Sequence, residues 1–325
     1  VKRSYSIIAI VIFILVNVFY FGIGYLTEHV FPYQILRPAR VTNLELNKYF
    51  KGRTTPSELG LKWEEFNITS QDSIKLKGWF IYANVKPANG TVFLLHSIGS
   101  CKASLLPVAK MITSIGFNCV LYDLRAHGES GGVNCTYGYY EKNDLSSFID
   151  SVSARRPGSG PYSVFGQSLG GAIAIQAMAA DKRIACVIAE SPFTDLREIT
   201  HSYFAHKYFL HINTISDKAL QYSEQIAGFQ IDSVSAILSA RKIDRPVMIF
   251  HGIEDKKISA SFGKRIFDNV PSRNKIWYPI FNAEHNNLSK AGGARLSNLI
   301  ISFLKRFGVD PNSRNIPPKF TEITF

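Results

Sequence analysis

A large mixed α/β domain behind a single membrane-spanning helix is the architecture this sequence predicts, and three observations predict it. From Ser4 to Leu26 the chain carries no charged residue, and at about 1.5 Å per residue such a run reaches across a hydrocarbon core of roughly 30 Å. Beyond it, apolar runs of strand length recur, each followed by a segment of helical periodicity, the pattern of a mostly parallel sheet covered on both faces. The 325 residues, 46% hydrophobic, 13% aromatic and 19% charged, are ample for a core and exclude disorder, collagen and disulfide miniproteins.

The first element is the anchor, residues 4–26. Lys2 and Arg3 precede it, and Tyr20, Phe21 and Tyr25 lie toward one end, where amphipathic rings favour the headgroup level. A cleaved signal peptide is the competing reading. The run exceeds an h-region of about 7–15 residues, however, and no A-x-A-like site follows it. A buried soluble helix would lack its polar face. Lys2 and Arg3 against Arg37 and Arg40 tip the positive-inside balance toward a cytoplasmic amino end, with the rest of the chain on the non-cytoplasmic side.

Residues 27–60 mix Pro32, Pro38 and Pro56 with scattered charges and read as a membrane-proximal linker with a short helix around Leu44–Phe50. Trp63–Thr69 and Lys75–Ala83 alternate about Gln71-Asp72 and predict a hairpin. Strands follow at Thr91–Leu95, Cys119–Tyr122, Tyr162–Phe165, Cys186–Ala189, Val247–Phe250 and Ile276–Ile280. Helices are expected at Ala103–Ile115, Tyr139–Arg155, Gly170–Ala180, Phe262–Val270 and Arg295–Phe307. The main domain thus occupies 61–308. An insert over about 193–245, rich in Tyr, Phe, His and Ile, interrupts its rhythm, and 309–325 form a proline-rich surface tail.

Thirty-seven Lys and Arg against 25 Asp and Glu give a formal charge of +12. Such a balance suits an anionic partner. No nucleic-acid motif accompanies it, which leaves a membrane surface. Cys101, Cys119, Cys135 and Cys186 show no CxxC pairing and form neither a zinc site nor a disulfide framework. His201, His206 and His211 recur in steps of five, which do not return to one helix face. No metal and no cofactor is expected.

In such sheets reactive residues lie beyond the carboxyl ends of the strands. There the chain reads Gly166-Gln167-Ser168-Leu169-Gly170, between an apolar strand and an Ala-rich helix. A serine on a tight strand-to-helix turn needs glycines two positions either side, and the turn exposes its hydroxyl beside the next amide, that of Leu169. A serine nucleophile needs a base, and the base an orienting acid. Asp255 follows the Val247 strand and His285 follows the Ile276 strand, giving the chain order Ser, Asp, His.

With these residues the sequence resembles the α/β-hydrolase superfamily over roughly Leu61–Phe307, in look closest to bacterial hydrolases of the serine aminopeptidase and monoacylglycerol lipase type. The resemblance implies the α/β-hydrolase fold with a small helical cap at the insert. It makes Ser168 the nucleophile, His285 the general base and Asp255 the orienting acid. Leu95-His96-Ser97-Ile98 resembles the family's His-Gly-x segment, with serine for glycine, and assigns Ile98 a second oxyanion amide beside Leu169. Asp123-Leu124-Arg125-Ala126-His127-Gly128-Glu129-Ser130 resembles the D-x-R-G-H-G-x-S turn, with Ala126 at the first glycine. Glu190-Ser191-Pro192-Phe193-Thr194-Asp195 resembles a loop of membrane-associated and lysophospholipase-like branches.

His96, His127 and His251 read as structural, and Cys101 lacks an elbow. Glu190 and Asp195 are the competing acids. The expectation is a membrane-anchored serine hydrolase cleaving a carboxylic ester or thioester of a small molecule or lipid. An apolar acyl group is inferred from the aromatic cap. Two other readings stay open: a peptidase binding a substrate amine through Glu190, Asp195 or Glu284, and a non-catalytic binding protein on the same fold.

Overall fold

The computed structural model describes residues 2–41, 45, 54–208 and 212–310. Helix α1, Lys2–His29, is followed at once by α2, Phe31–Leu36. The apolar side chains of α1 stand outside the protein core, with Phe13 and Phe19 each 70% exposed. The helix expected around Leu44–Phe50 and the end of the tail fall, apart from Glu45, outside the described residues.

The alternating segments fold into β1 (Trp63–Glu65), β2 (Ile68–Thr69), β3 (Lys75–Leu76) and β4 (Gly78–Ile81). The expected single hairpin is divided: β2 pairs with β3 around the Gln71-Asp72 turn, while β1 and β4 join the main sheet. That sheet continues with β5 (Thr91–Leu95), β6 (Asn118–Tyr122), β7 (Tyr162–Gln167), β8 (Ile184–Glu190), β9 (Val247–Gly252) and β10 (Lys275–Ile280). Its order is β1-β4-β6-β5-β7-β8-β9-β10, with β4 antiparallel to β1 and β6 and all later pairings parallel. The chain leaves β5 for β6 on one side and returns to β7 on the other. A crevice therefore opens at the carboxyl ends of β5 and β7.

Alternation along β5 explains why both faces are covered. Phe93 and Leu95 pack into one core with α4 (Glu141–Arg155) and α5 (Leu169–Ala180), and Val92 and Leu94 into another with α3 (Leu106–Ser114) and the carboxyl-terminal helix. Helix α5 has no polar face because ten of its residues, Leu169 to Met178, are buried.

The insert contributes α6 (Leu196–Tyr208), α7 (Asn213–Ala227) and α8 (Ala236–Ala240). After β9, α9 (Ala260–Asn269) precedes β10, and α10 spans Leu288–Phe307. α10 is broken at Gly293, whose φ of 52° and ψ of −145° leave the helical region, and its second segment starts close to the expected Arg295.

The start of the expected linker is instead packed structure. Phe31, Ile35 and Leu36 of α2 share a core with Leu196 and Phe204 of α6 and Leu220 of α7. The Phe31 ring meets those of Phe204 and Tyr208 at 5.0 and 5.1 Å. Polar contacts hold the same stretch: the Tyr137 hydroxyl donates to Ile35 O at 2.7 Å, and Cys135 N–H donates to Leu36 O at 2.8 Å. Arg40 donates to the carbonyls of Gly128, Ser130 and Gly132. Six helical residues are too few to display a period, so the sequence hides this role.

A chain beginning at Thr27 retains α2 and is expected to unfold cooperatively. Phe31→Ala within that chain should cost about 3–5 kcal/mol, read as a lower denaturant midpoint. An unchanged midpoint would separate α2 from the insert's core.

Candidate active site

Ser168 joins β7 to α5 with φ 52° and ψ −110°. Such a backbone costs about 1–3 kcal/mol and persists only where its surroundings impose it. The glycines supply the room: a Cβ on Gly166 would lie 2.1 Å from Gly170 O, and one on Gly170 would lie 2.2 Å from Leu95 O. Ser168 N–H donates to Glu190 O at 2.7 Å, tying the turn to β8. Leu169 is the first residue of α5, where backbone amides have no intrahelical acceptor and the dipole is positive.

Register brings the other loops alongside. Leu95 pairs with Gly166, so the Ser97–Ile98 loop leaves β5 beside the turn. His96 fixes that loop: its Nε2 accepts Leu124 N–H at 3.0 Å while Nδ1–H donates to Ser97 O at 2.8 Å. Full burial holds its pKa well below the usual histidine value, so the ring stays neutral. Ser97 adopts no positive φ, which removes the need for glycine there, whereas Ala126 takes a left-handed φ of 61° at the second departure.

Asp255 and His285, from the loops after β9 and β10, form a direct pair. His285 Nδ1–H donates to Asp255 Oδ2 at 2.6 Å. Because an ionised carboxylate only accepts, the proton sits on Nδ1 and Nε2 keeps its lone pair. The amides of Lys257 and Ile258 donate to Asp255 Oδ1, each at 2.9 Å. Burial pushes the Asp255 pKa up, but the nearby His251 ring, 3.5 Å away, and hydrogen bonds from His285 and the Ile258 amide outweigh it and hold the carboxyl well below its usual range.

Ser168 and His285 line one cavity of about 180 Å³, together with Ser97, Gln167, Glu190 and Ser191. The structure thus gathers Ser168, Asp255 and His285, with the Leu169 turn and the Ile98 loop beside them. It separates the competing carboxylates. Asp195 accepts Glu198 N–H at the start of α6, Glu284 is exposed, and of the three only Glu190 reaches the cavity. Gln167 and Ser191 are cavity residues that the sequence reading did not single out; Ser191 adopts φ 45°, which no local pattern announces.

The remaining candidates have other roles. His127 Nδ1–H donates to Arg125 O, and His251 Nε2–H to Ile258 O. The Cys101 thiol, pushed up to about 11 by burial and then by Asp123, stays protonated. All four cysteines are buried and none is in a disulfide. His201 pairs with Asp217, His211 lies outside the described residues, and no group of His, Cys, Asp and Glu among the described residues has metal-binding geometry. The aromatic residues of the insert, such as Phe204 and Phe229, pack with α2 rather than into the cavity. Their abundance therefore carries no information about the substrate.

Residues 86–235 match the family model described as serine aminopeptidase, S33. The chain is 25% identical to the α/β-hydrolase domain-containing protein WAV2 of Arabidopsis thaliana, over 68% of this chain and 70% of that protein. It is also 25% identical to an uncharacterized membrane protein of Saccharomyces cerevisiae, over 72% and 77%. An esterase of Pyrococcus furiosus superposes with a TM-score of 0.69 at 24% identity, covering 84% of this chain and 98% of that one. The chain has the α/β-hydrolase fold. The family-model match supports a hydrolase.

Within this fold, Glu190 has an unusual carboxyl. Burial raises its pKa from 4.5 to about 7, against the opposing effects of the Gln167 amide and of His285. A carboxyl raised in the folded state penalises the fold once ionised, so stability is lost as pH climbs from about 4.5 to about 7. Glu190→Gln is expected to raise the unfolding midpoint at pH 8 and far less at pH 4.5. Equal gains at both pH values would rule out this titration.

Proposed function

We propose that the protein is a membrane-anchored serine hydrolase that cleaves a carboxylic ester or thioester through an acyl-enzyme intermediate. The observation that carries this reading is the 2.6 Å Asp255–His285 pair facing a cavity shared with the strained Ser168. In the first half-reaction Ser168 Oγ attacks the substrate carbonyl while its proton passes to His285 Nε2. Asp255 holds the imidazole in the required tautomer and stabilises the imidazolium. The Leu169 and Ile98 amides donate to the tetrahedral oxyanion. Its collapse breaks the ester bond as His285 returns the proton to the departing alkoxide or thiolate. Water, deprotonated by His285, then releases the acid and restores Ser168.

The same groups suit a peptidase, and Glu190 in the cavity is the observation that keeps that reading beside the first. Paired turnover of p-nitrophenyl esters and aminoacyl anilides distinguishes them, with the esters expected to be the better substrates. Ser168→Ala should abolish fluorophosphonate labelling and lower ester turnover by roughly 10⁴–10⁶. Asp255→Asn should cost roughly 10⁴ in kcat if the serine-protease precedent transfers. Near wild-type turnover in Ser168→Ala would remove the nucleophile assignment.

Anchoring by α1 is supported by its exposed apolar surface and by an unburied 18-residue stretch of mean hydropathy 2.7. An exposed apolar face of this length is stable in hydrocarbon, where the helix satisfies its own backbone. The positive-inside balance favours the catalytic domain on the non-cytoplasmic side. The full chain should stay in the membrane through alkaline carbonate. Recovery of a mature protein starting near residue 27 would instead identify a cleaved signal peptide.

A further inference from the structure

We propose that His251 is a positioning residue, which through its bond to Ile258 O holds the loop that aims Asp255 at His285. This rests on the serine-hydrolase reading above and adds to that site a residue that touches no substrate. His251 is fully buried and does not line the cavity.

The course of the acid's loop is the first observation. It leaves β9 at Gly252 and enters α9 at Ala260. Its first limb is tied to the loop of the base: Ile253 N–H donates to Ile280 O and Glu254 N–H to Ala283 O, each at 3.0 Å. In its second limb the amides of Lys257 and Ile258 turn inward to Asp255 Oδ1, each at 2.9 Å. Among the hydrogen bonds of the described residues, what joins this limb to the sheet is His251 Nε2–H, which donates to Ile258 O at 2.8 Å. The same nitrogen lies 3.5 Å from Asp255 Oδ2, the oxygen that accepts from His285. Ile258 is thus held by its carbonyl at His251 and by its amide at Asp255. The carboxylate cannot rotate away from His285 without releasing those amides.

The other nitrogen of the ring is the second observation. A carbonyl oxygen only accepts, so the bond to Ile258 O puts a proton on Nε2. Nδ1 is buried and has no hydrogen-bond partner among the described residues. Helix α9 lies directly against it, since a Cβ on Gly263 would come within 2.6 Å. An unpaired buried polar atom costs about 1–3 kcal/mol. An apolar side chain would fill the same space without that cost. The advantage of the imidazole is therefore its Nε2–H, and what that donor holds is the loop of the acid.

The titratable groups facing the Asp255–His285 pair are His251 from β9 and Glu190 from β8, whereas Glu254, Lys256, Lys257 and Glu284 of the two loops are exposed. Loss of the His251 tie frees the second limb and loosens the Asp255–His285 bond. An imidazolium that loses its carboxylate is less stable, so the acid limb of the rate profile moves to lower pH.

The test uses the full chain in detergent with p-nitrophenyl acetate. His251→Leu, which fills the space without a donor, should lower kcat by roughly 10–100-fold and keep KM within about twofold. The acid limb of its kcat profile should move down by about one pH unit. These profiles are compared in a Glu190→Gln background, so that the carboxyl across the cavity contributes no titration. His251→Gln, which keeps a side-chain N–H, should recover most of the lost kcat. In an Asp255→Asn background, His251→Leu should slow fluorophosphonate labelling of Ser168 by less than about threefold, because the loop then carries no carboxylate to aim. Should His251→Leu fold poorly, Gly263→Ala reaches the ring from α9. Alanine is the better helix former by about 1 kcal/mol, yet its Cβ displaces Nδ1, so kcat should fall while KM holds.

A kcat within about twofold of wild type in His251→Leu, or in Gly263→Ala where that variant stands in, overturns the proposal. It does so even if the denaturant midpoint falls, because that is the mark of packing alone. A loss confined to KM, an acid limb that stays in place or moves to higher pH, or a His251→Gln variant as slow as His251→Leu overturns it too. Absence of p-nitrophenyl acetate turnover and of Ser168 labelling in the wild-type protein would overturn the serine-hydrolase reading itself, a result distinguishable from failure of the positioning role alone.

Discussion

The close approach of α5 to the ends of β5 and β7 is the constraint on which the site depends. Gly170 packs so tightly against Leu95 that any Cβ would overlap its carbonyl oxygen, and Gly166 packs as tightly against Gly170. With the helix that near the sheet, the chain must reverse within one residue, and Ser168 takes the strained φ. The same turn leaves the Leu169 amide at the head of a buried helix and brings the β5 loop alongside. The bond from Ser168 N–H to Glu190 O then fixes the level of β8. The candidate nucleophile, two candidate oxyanion amides and a buried carboxyl are thereby assembled by one packing contact. The base and acid need only the two following parallel strands to arrive at the same edge.

A second constraint links the apolar helix α1 to the insert. Helix α2 follows α1 after a single residue and completes the core of α6 and α7. Arg40 then ties the descending chain to the carbonyls of the 128–132 turn. That turn is itself held by Asp123, which accepts from Lys102 and from Glu129 N–H. The path from α1 to the sheet thus runs through packed apolar contacts and charge-assisted hydrogen bonds, which restricts how the domain is set relative to α1. It also accounts for the aromatic composition of the insert, whose rings have α2 to cover.

The polarity of the cavity follows from which side chains the strand ends carry. Gln167, Glu190 and Ser191 lie where β7 and β8 stop, next to Ser168. Burial there weakens the acidity of Glu190, while Asp255, equally hidden from solvent but surrounded by donors, is held strongly acidic. Two carboxyls at one sheet edge are driven apart in acidity by their hydrogen-bond donors.

The sequence by itself determined the sheet, its covering helices, the apolar amino-terminal helix and the Ser168, Asp255, His285 order. Each of these is written in local periodicity, or in glycines whose spacing reflects a steric limit. Only the tertiary structure decided that α2 belongs to the insert's core, that Asp255 rather than Asp195 or Glu190 meets His285, and that the cavity wall is polar. Periodicity marks a residue as buried without saying what buries it. Phe204 in the insert therefore looks like lining for a substrate until it is seen to face Phe31. A buried hydroxyl without a partner, as at Ser191, is a property of the space around it, and no pattern of neighbouring residues encodes that space.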